Sequence, residues 1–312
     1  VVTSGVMARL PASWDARKVQ PGGPAMPTID LPQGTLRYDD VGSGPAVVFI
    51  HGLLVDGKLW RKVTPELSGS ARCIVPDLPL GSHTIPMNPD ADLSVEGVAK
   101  LVANLLEALD LRDVTIVGND SGGAIAQVVA ARHSERVGRL VLTTCDAYEV
   151  FPPALFSYLR VLPWIPGLTA LLAKSMFRVK ALRNLPLAYG LLAKSGIPDE
   201  IAKSYVEPCA TNPAIRRDVS KFMRTASPSL TLQVAKELRS FDRPVLLLWT
   251  PEDRFFPLSL AERFVEDFPN ARLVTIDDAY VFVAEDQPER VAEEIARFVA
   301  PDAEIAARAN LH

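Results

Sequence analysis

Histidine is scarce in this chain. There are four among 312 residues, His51, His83, His133 and His312, so any chemistry that needs an imidazole must draw on these. Cysteine is scarcer still. Cys73, Cys145 and Cys209 are odd in number and far apart, which argues against a disulfide frame and for reduced thiols in a cytoplasmic setting. Cys73 and Cys145 fall in or beside strand-like runs and read as core residues. No run reaches the ~18–20 apolar residues of a membrane span. The most tempting stretch, 161–173, is short and broken by Pro163 and Pro166, so no membrane association is expected. Residues 1–24 contain no continuous apolar segment of the signal-peptide kind and are expected to form a loose arm. A basic excess is missing as well: 33 Lys and Arg stand against 37 Asp and Glu, a net charge of −4, so no nucleic-acid partner is expected. Metal-ligand spacings and phosphate-cradling glycine loops are also lacking, so neither a cofactor nor a metal is expected.

What is present is a soluble-enzyme composition, 48% hydrophobic and 22% charged, arranged as strands alternating with helices. Residues 35–41 mix apolar and polar side chains like an edge strand. Residues 46–50 form a continuous apolar run of the kind buried on both faces of a parallel sheet, ending in His51-Gly52-Leu53-Leu54. Helical spacing follows over 57–67, then a short strand over 71–75 and a loop carrying His83. Ser94 is placed to cap a helix over 95–109, with Val98, Leu101, Val102, Leu105 and Leu109 on one face. A strand over 137–143 precedes a change of texture. From about 147 to 240, Pro, Leu and aromatic residues crowd together with no strand-helix alternation, which reads as an inserted helical lid. Alternation resumes with strands over 244–249 and 272–276 and helices over 258–268 and 288–299. The fold class is therefore α/β, a mostly parallel twisted sheet with helices on both faces, its core made of 25–146 and 241–300, with 301–312 as a C-terminal tail. Sheets of this kind bind ligands beyond the carboxyl ends of their strands. His51, His83, Asp120, Asp146 and Asp253 all follow strands and can gather there.

The stretch around which the site is organised is Gly118-Asn119-Asp120-Ser121-Gly122-Gly123, between an apolar strand over 114–117 and a helical pattern over 124–133. A small-x-nucleophile-x-small turn between strand and helix exposes one side chain at its tip. With Gly118 and Gly122 as the outer small residues, that side chain is Asp120. A register shifted by one would present Ser121, but it would put the larger Asn119 where the turn wants a small residue.

The His51-Gly52 loop, the Asp120 turn and Trp249-Thr250-Pro251-Glu252-Asp253 together resemble the α/β-hydrolase fold over about 36–299. The aspartate resembles the branch that contains haloalkane dehalogenases and epoxide hydrolases. The resemblance implies that Asp120 attacks carbon to form an ester with a small apolar substrate. It implies that backbone N–H groups of Ser121 and Leu53 form the oxyanion hole while His51 holds the oxyanion loop, and that Asp253 or, alternatively, Asp146 is the triad acid. A monomer or homodimer is expected.

The family's base, a histidine in a turn before the last helix, has no counterpart. Anchoring on Phe282 and Gln287-Pro288 places Val281 there, and a one-residue slip places Tyr280 there. A positioned base is worth roughly 10²–10⁴-fold in rate, so an ester at Asp120 is expected to turn over slowly unless another base, His83 first, takes over. The halide-cradling tryptophan of dehalogenases is replaced by Ser121, and the polar residue after His-Gly by Leu53. The proline of the epoxide hydrolase loop is replaced by Leu54, while Tyr148, Tyr158, Tyr189 and Tyr205 are the tyrosines the lid region offers. Two alternatives remain open: a lyase, isomerase or cyclase using Asp120 as acid or base, and a ligand-binding protein of hydrolase descent, as in the gibberellin receptor.

Overall fold

The computed structural model describes residues 26–300, so the expected N-terminal arm, the C-terminal tail and His312 lie outside the described residues. Eight strands make one sheet: β1 (Thr28–Leu31), β2 (Gly34–Gly42), β3 (Ala46–Ile50), β4 (Arg72–Pro76), β5 (Val114–Asp120), β6 (Val137–Cys145), β7 (Val245–Trp249) and β8 (Ala271–Thr275). Their order is β1-β2-β4-β3-β5-β6-β7-β8. β2 runs antiparallel to β1 and β4, and every pairing from β4 across to β8 is parallel. The central strands are apolar throughout because both faces are covered: Val47 to Ile50 and Val245 to Trp249 are all buried. The stretch expected as an edge strand is β2, and β1 lies outside it. Its alternation, with Leu36 and Tyr38 buried and their neighbours partly exposed, marks one solvated face and not an edge.

Helices flank both faces of the sheet. Helix Val95–Ala108 begins where the Ser94 hydroxyl accepts the Gly97 N–H at 3.0 Å, and it buries Val98, Leu101, Val102 and Leu105. The helix after β5, Ser121–Arg132, is buried from Ser121 through Ala130, which is why its sequence shows no polar stripe. The helix expected over 57–67 is instead two pieces, a 3₁₀ turn at Gly57–Trp60 and a short α-turn at Thr64–Leu67. Pro65 accounts for the break: without an N–H it suits the first turn of a helix and not its interior.

Between β6 and β7 the described residues form no strand. They form helices, chiefly Leu168–Arg178, Asp199–Thr211, Pro213–Thr225 and Pro228–Glu237. This insertion has a small core of its own, with Cys209, Ala210, Ile215, Val219 and Met223 buried together. Its inner surface roofs the carboxyl ends of the central strands, and a cavity is left between roof and sheet. No helix among the described residues is long and apolar enough to cross a membrane.

Candidate active site

Asp120 stands at the junction of β5 and the following helix with φ 53° and ψ −133°. For a residue with a Cβ this backbone costs about 1–3 kcal/mol and persists only where its surroundings enforce it. Close packing does so here. A Cβ on Gly122 would lie 2.4 Å from the Ile50 carbonyl oxygen, and a Cβ on Gly52 would lie 2.2 Å from the Asp120 carboxylate itself. The His-Gly loop after β3 and the β5 turn can therefore close on each other only where both lack side chains. The structure puts Asp120, not Ser121, at the tip.

The surroundings of the Asp120 carboxyl set its charge. It opens onto the cavity but is otherwise enclosed by protein, and burial pushes its pKa up to about 7. Backbone hydrogen bonds from Ser121 and Leu53 act against that rise, and the negative charge of Asp253 adds to it. The two amides that touch the carboxyl are the pair expected to form an oxyanion hole.

The cavity holds about 900 Å³, its mouth included, and its wall is mostly apolar: Leu53, Leu159, Leu172, Met176, Leu192 and Val206 represent it. Its floor carries Asp120, Ser121 and Asp146. Asp146 follows β6 and is fully buried. A register shift between Asn119 and Asp120 pairs Asp120 with Cys145, so the next residue, Asp146, comes alongside, its N–H 3.3 Å from the Asp120 carbonyl oxygen. Gln127, on the elbow helix, donates to the Asp146 carbonyl oxygen at 2.8 Å and fixes the backbone there. Neither carboxyl oxygen of Asp146 reaches hydrogen-bond geometry with any group. Burial, and then the charge of Asp120, push its pKa well above the ordinary carboxylate range, and the nearby Ser121 side chain offsets this only in part.

Asp253 follows β7 and lies outside the cavity lining. Its Oδ1 accepts the N–H groups of Phe255 and Phe256, both at 2.6 Å, while its Oδ2 is buried without a partner. Burial pushes its pKa up to about 6, against those two hydrogen bonds. Val281 is fully buried, and its carbonyl oxygen accepts from the Asn119 side chain at 2.7 Å. Tyr280 is half-buried, its phenol oxygen taken by Arg254 at 3.1 Å. Neither Val281 nor Tyr280 lines the cavity.

His51 and His83 serve elsewhere. His83, expected first as a substitute base, is buried outside the cavity lining. Its Nδ1 accepts the Gly81 N–H at 3.3 Å, and its Nε2 faces Asp218 at 3.4 Å. Asp218 belongs to helix Pro213–Thr225, so His83 ties the insertion to the loop after β4. His51 accepts the Leu78 N–H on Nε2 at 2.9 Å and so carries its proton on Nδ1, 2.9 Å from the Gly52 carbonyl oxygen; burial keeps the ring neutral. That arrangement pins the loop that presents Leu53. Among the described residues, no histidine lines the cavity.

Two of the four lid-region tyrosines, Tyr158 and Tyr189, line the cavity, and both phenols donate to main-chain oxygens, of Leu187 at 2.6 Å and Leu54 at 2.5 Å. Tyr148 instead donates to Asp267 at 3.0 Å, and neither it nor Tyr205 lines the cavity. Cys209 also lines the cavity, but burial pushes its thiol pKa up to about 11, which makes it a poor nucleophile. Among the described residues, no group of three or more His, Cys, Asp or Glu side chains is placed to hold a metal ion.

Sequence spacing missed Asn119 and Gln127. Asn119, between Gly118 and Asp120, ties the elbow to the carbonyl oxygens of Thr143, Thr144 and Val281.

Comparison with known proteins agrees with this architecture. Residues 45–288 match the model of the alpha/beta hydrolase fold family. Haloalkane dehalogenase 2 of Mycobacterium tuberculosis is 26% identical over 272 residues, covering 86% of this chain and 92% of that protein. The cis-3-alkyl-4-alkyloxetan-2-one decarboxylase of Xanthomonas campestris is 29% identical over 290 residues, covering 87% of this chain and 94% of that one. Among solved structures, the epoxide hydrolase CorEH superposes with a TM-score of 0.74 at 21% identity, over 89% of this chain and 99% of that one.

Proposed function

The chain belongs to the alpha/beta hydrolase fold family, and from that premise we propose that it takes a small apolar electrophile into the roofed cavity and that Asp120 attacks it at carbon to form an ester. The observation that carries the reading is the Asp120 carboxyl, held on a strained turn at the floor of an apolar cavity with the Ser121 and Leu53 amides upon it. An attacking oxygen so held needs little reorganisation on the way to the transition state. Once the ester forms, the same amides stand ready for the oxyanion of its hydrolysis.

Val281 occupies the position of the family's base. The unpartnered Oδ2 of Asp253 supports this assignment, since a triad acid whose histidine is gone keeps one oxygen with nothing to hold. Ester formation needs no base, whereas ester hydrolysis does, so the second half of the reaction is the slow half. This favours the relatives named for haloalkane and epoxide chemistry as guides to the first step.

A second reading has an observation in its favour. Because burial brings the Asp120 pKa to about 7 and pushes that of the neighbouring Asp146 well above the ordinary carboxylate range, the pair suits proton transfer without an ester, as a lyase, isomerase or cyclase would use it. The relative named as a decarboxylase shows that the superfamily accommodates more than hydrolysis. A pocket kept only for ligand binding would have no use for the strain at Asp120.

Intact-protein mass spectrometry separates these readings. After incubation with a short alkyl bromide, the protein is expected to gain the mass of one alkyl group, mapped to the peptide containing Asp120 and absent from Asp120→Asn. Full retention of mass on prolonged incubation, with no product formed, would defeat the proposal.

A further inference from the structure

Asp146 is a fully buried carboxyl on the cavity floor, and neither of its oxygens makes a hydrogen bond of good geometry, although the Ser121 hydroxyl lies near. A buried group left so costs free energy unless it is neutral or waits for something. The fold takes care to place it: the register shift at the end of β5 brings it beside Asp120, and Gln127 fixes its main chain. The two tyrosines that line the cavity are engaged elsewhere, since Tyr158 and Tyr189 both donate to main-chain carbonyls.

From this geometry we propose that Asp146 is the proton donor to the leaving oxygen of the substrate that Asp120 opens. The inference rests on Asp120 as nucleophile and adds to it a substrate class: one in which carbon is released from an oxygen that stays attached, as in a strained cyclic ether, and not from a halide. A halide departs as a stable anion and has no use for a buried acid beside the nucleophile. An alkoxide does. The division of charge fits: the Ser121 and Leu53 amides favour the anion at Asp120, whereas Asp146 is fully buried without such backbone donors, so the proton is better held on Asp146.

The step balances. An oxygen of the Asp120 carboxylate forms a bond to one ring carbon, and the bond from that carbon to the ring oxygen breaks with its electron pair on oxygen. The carboxyl proton of Asp146 moves to that oxygen. The result is a hydroxyalkyl ester at Asp120 and a carboxylate at Asp146. Water then hydrolyses the ester, the diol departs, and the proton of the regenerated Asp120 carboxylic acid passes to Asp146.

The test compares two alkylating probes of equal chain length, epoxyhexane and bromohexane, by the rate at which each adds to Asp120. In Asp146→Asn, addition of the epoxide is expected to slow by about 10²–10⁴-fold, the worth of a positioned acid, while addition of the bromide changes little. Equal slowing of both, or of neither, would overturn the role of Asp146 and leave Asp120 as nucleophile intact. If neither probe adds to Asp120 in the wild-type protein, the nucleophile reading falls and this one with it. Should the variant fail to fold, the wild-type protein decides: the epoxide rate is expected to carry a solvent deuterium isotope effect that the bromide rate lacks, and equal effects on both would count against the proposal.

Discussion

A single carboxyl governs the account, and its charge can be followed by titration. In the proposed reaction the form of Asp120 that attacks is the anion, and burial raises its pKa to about 7. Alkylation of Asp120 by a halide is therefore expected to rise with pH through an inflection near neutrality, and not near the usual carboxylate value of about 4. Asp253 contributes negative charge to that shift. Asp253→Asn keeps an oxygen for the Phe255 and Phe256 amides but removes the charge, so the inflection is expected to move to lower pH. An unchanged profile would mean that Asp253 does not reach the nucleophile. At this scale the sequence was informative where spacing is local. Asp120 could be read from glycines two residues to either side and from the strand and helix that flank it. Asp146 was named only as one of two possible acids, because its partnerless state beside Asp120 follows from a register shift between two strands that no local pattern records.

Among the elements, the loop between β8 and the last helix, Pro288–Val299, is the one on which the proposal makes the second half of the reaction depend. Val281 is buried there, tethered through its carbonyl oxygen to Asn119 at 2.7 Å, and Phe282 donates to the Leu192 carbonyl oxygen at 2.7 Å. Both tethers are main-chain contacts of this loop, so they survive a change of side chain at residue 281. With Asp253 Oδ2 free to orient an imidazole, Val281→His is expected to speed hydrolysis of the Asp120 ester by about 10²–10⁴-fold, with formation of the ester little affected. Decay of the mass adduct over time measures this directly, and an adduct equally long-lived in both proteins would contradict it. The fate of His83 shows why the base could not be found by counting residues after strands. Its partner, Asp218, is 135 positions away on a helix of the insertion, and that pairing turns a candidate base into a brace. Likewise β2 lost its expected edge position to a four-residue strand too short to stand out in the sequence.

Over the whole molecule, the alternation of strands and helices, its interruption and its resumption made the fold legible, because a parallel sheet imposes continuous apolar runs that survive in sequence. The roof was legible only as a change of texture, since its helices pack through contacts distant in sequence. What sheet and roof accomplish together is to enclose an apolar cavity over two neighbouring carboxyls, Asp120 and Asp146, whose pKa values burial raises. The central claim is that the bond to substrate is made by an oxygen of Asp120, and a single turnover in ¹⁸O-labelled water tests it most directly. With protein in excess over epoxide, the account predicts that the first diol carries unlabelled oxygen taken from the carboxylate and that the label appears in the peptide containing Asp120. Label in the diol of that first turnover, with none in Asp120, would contradict it.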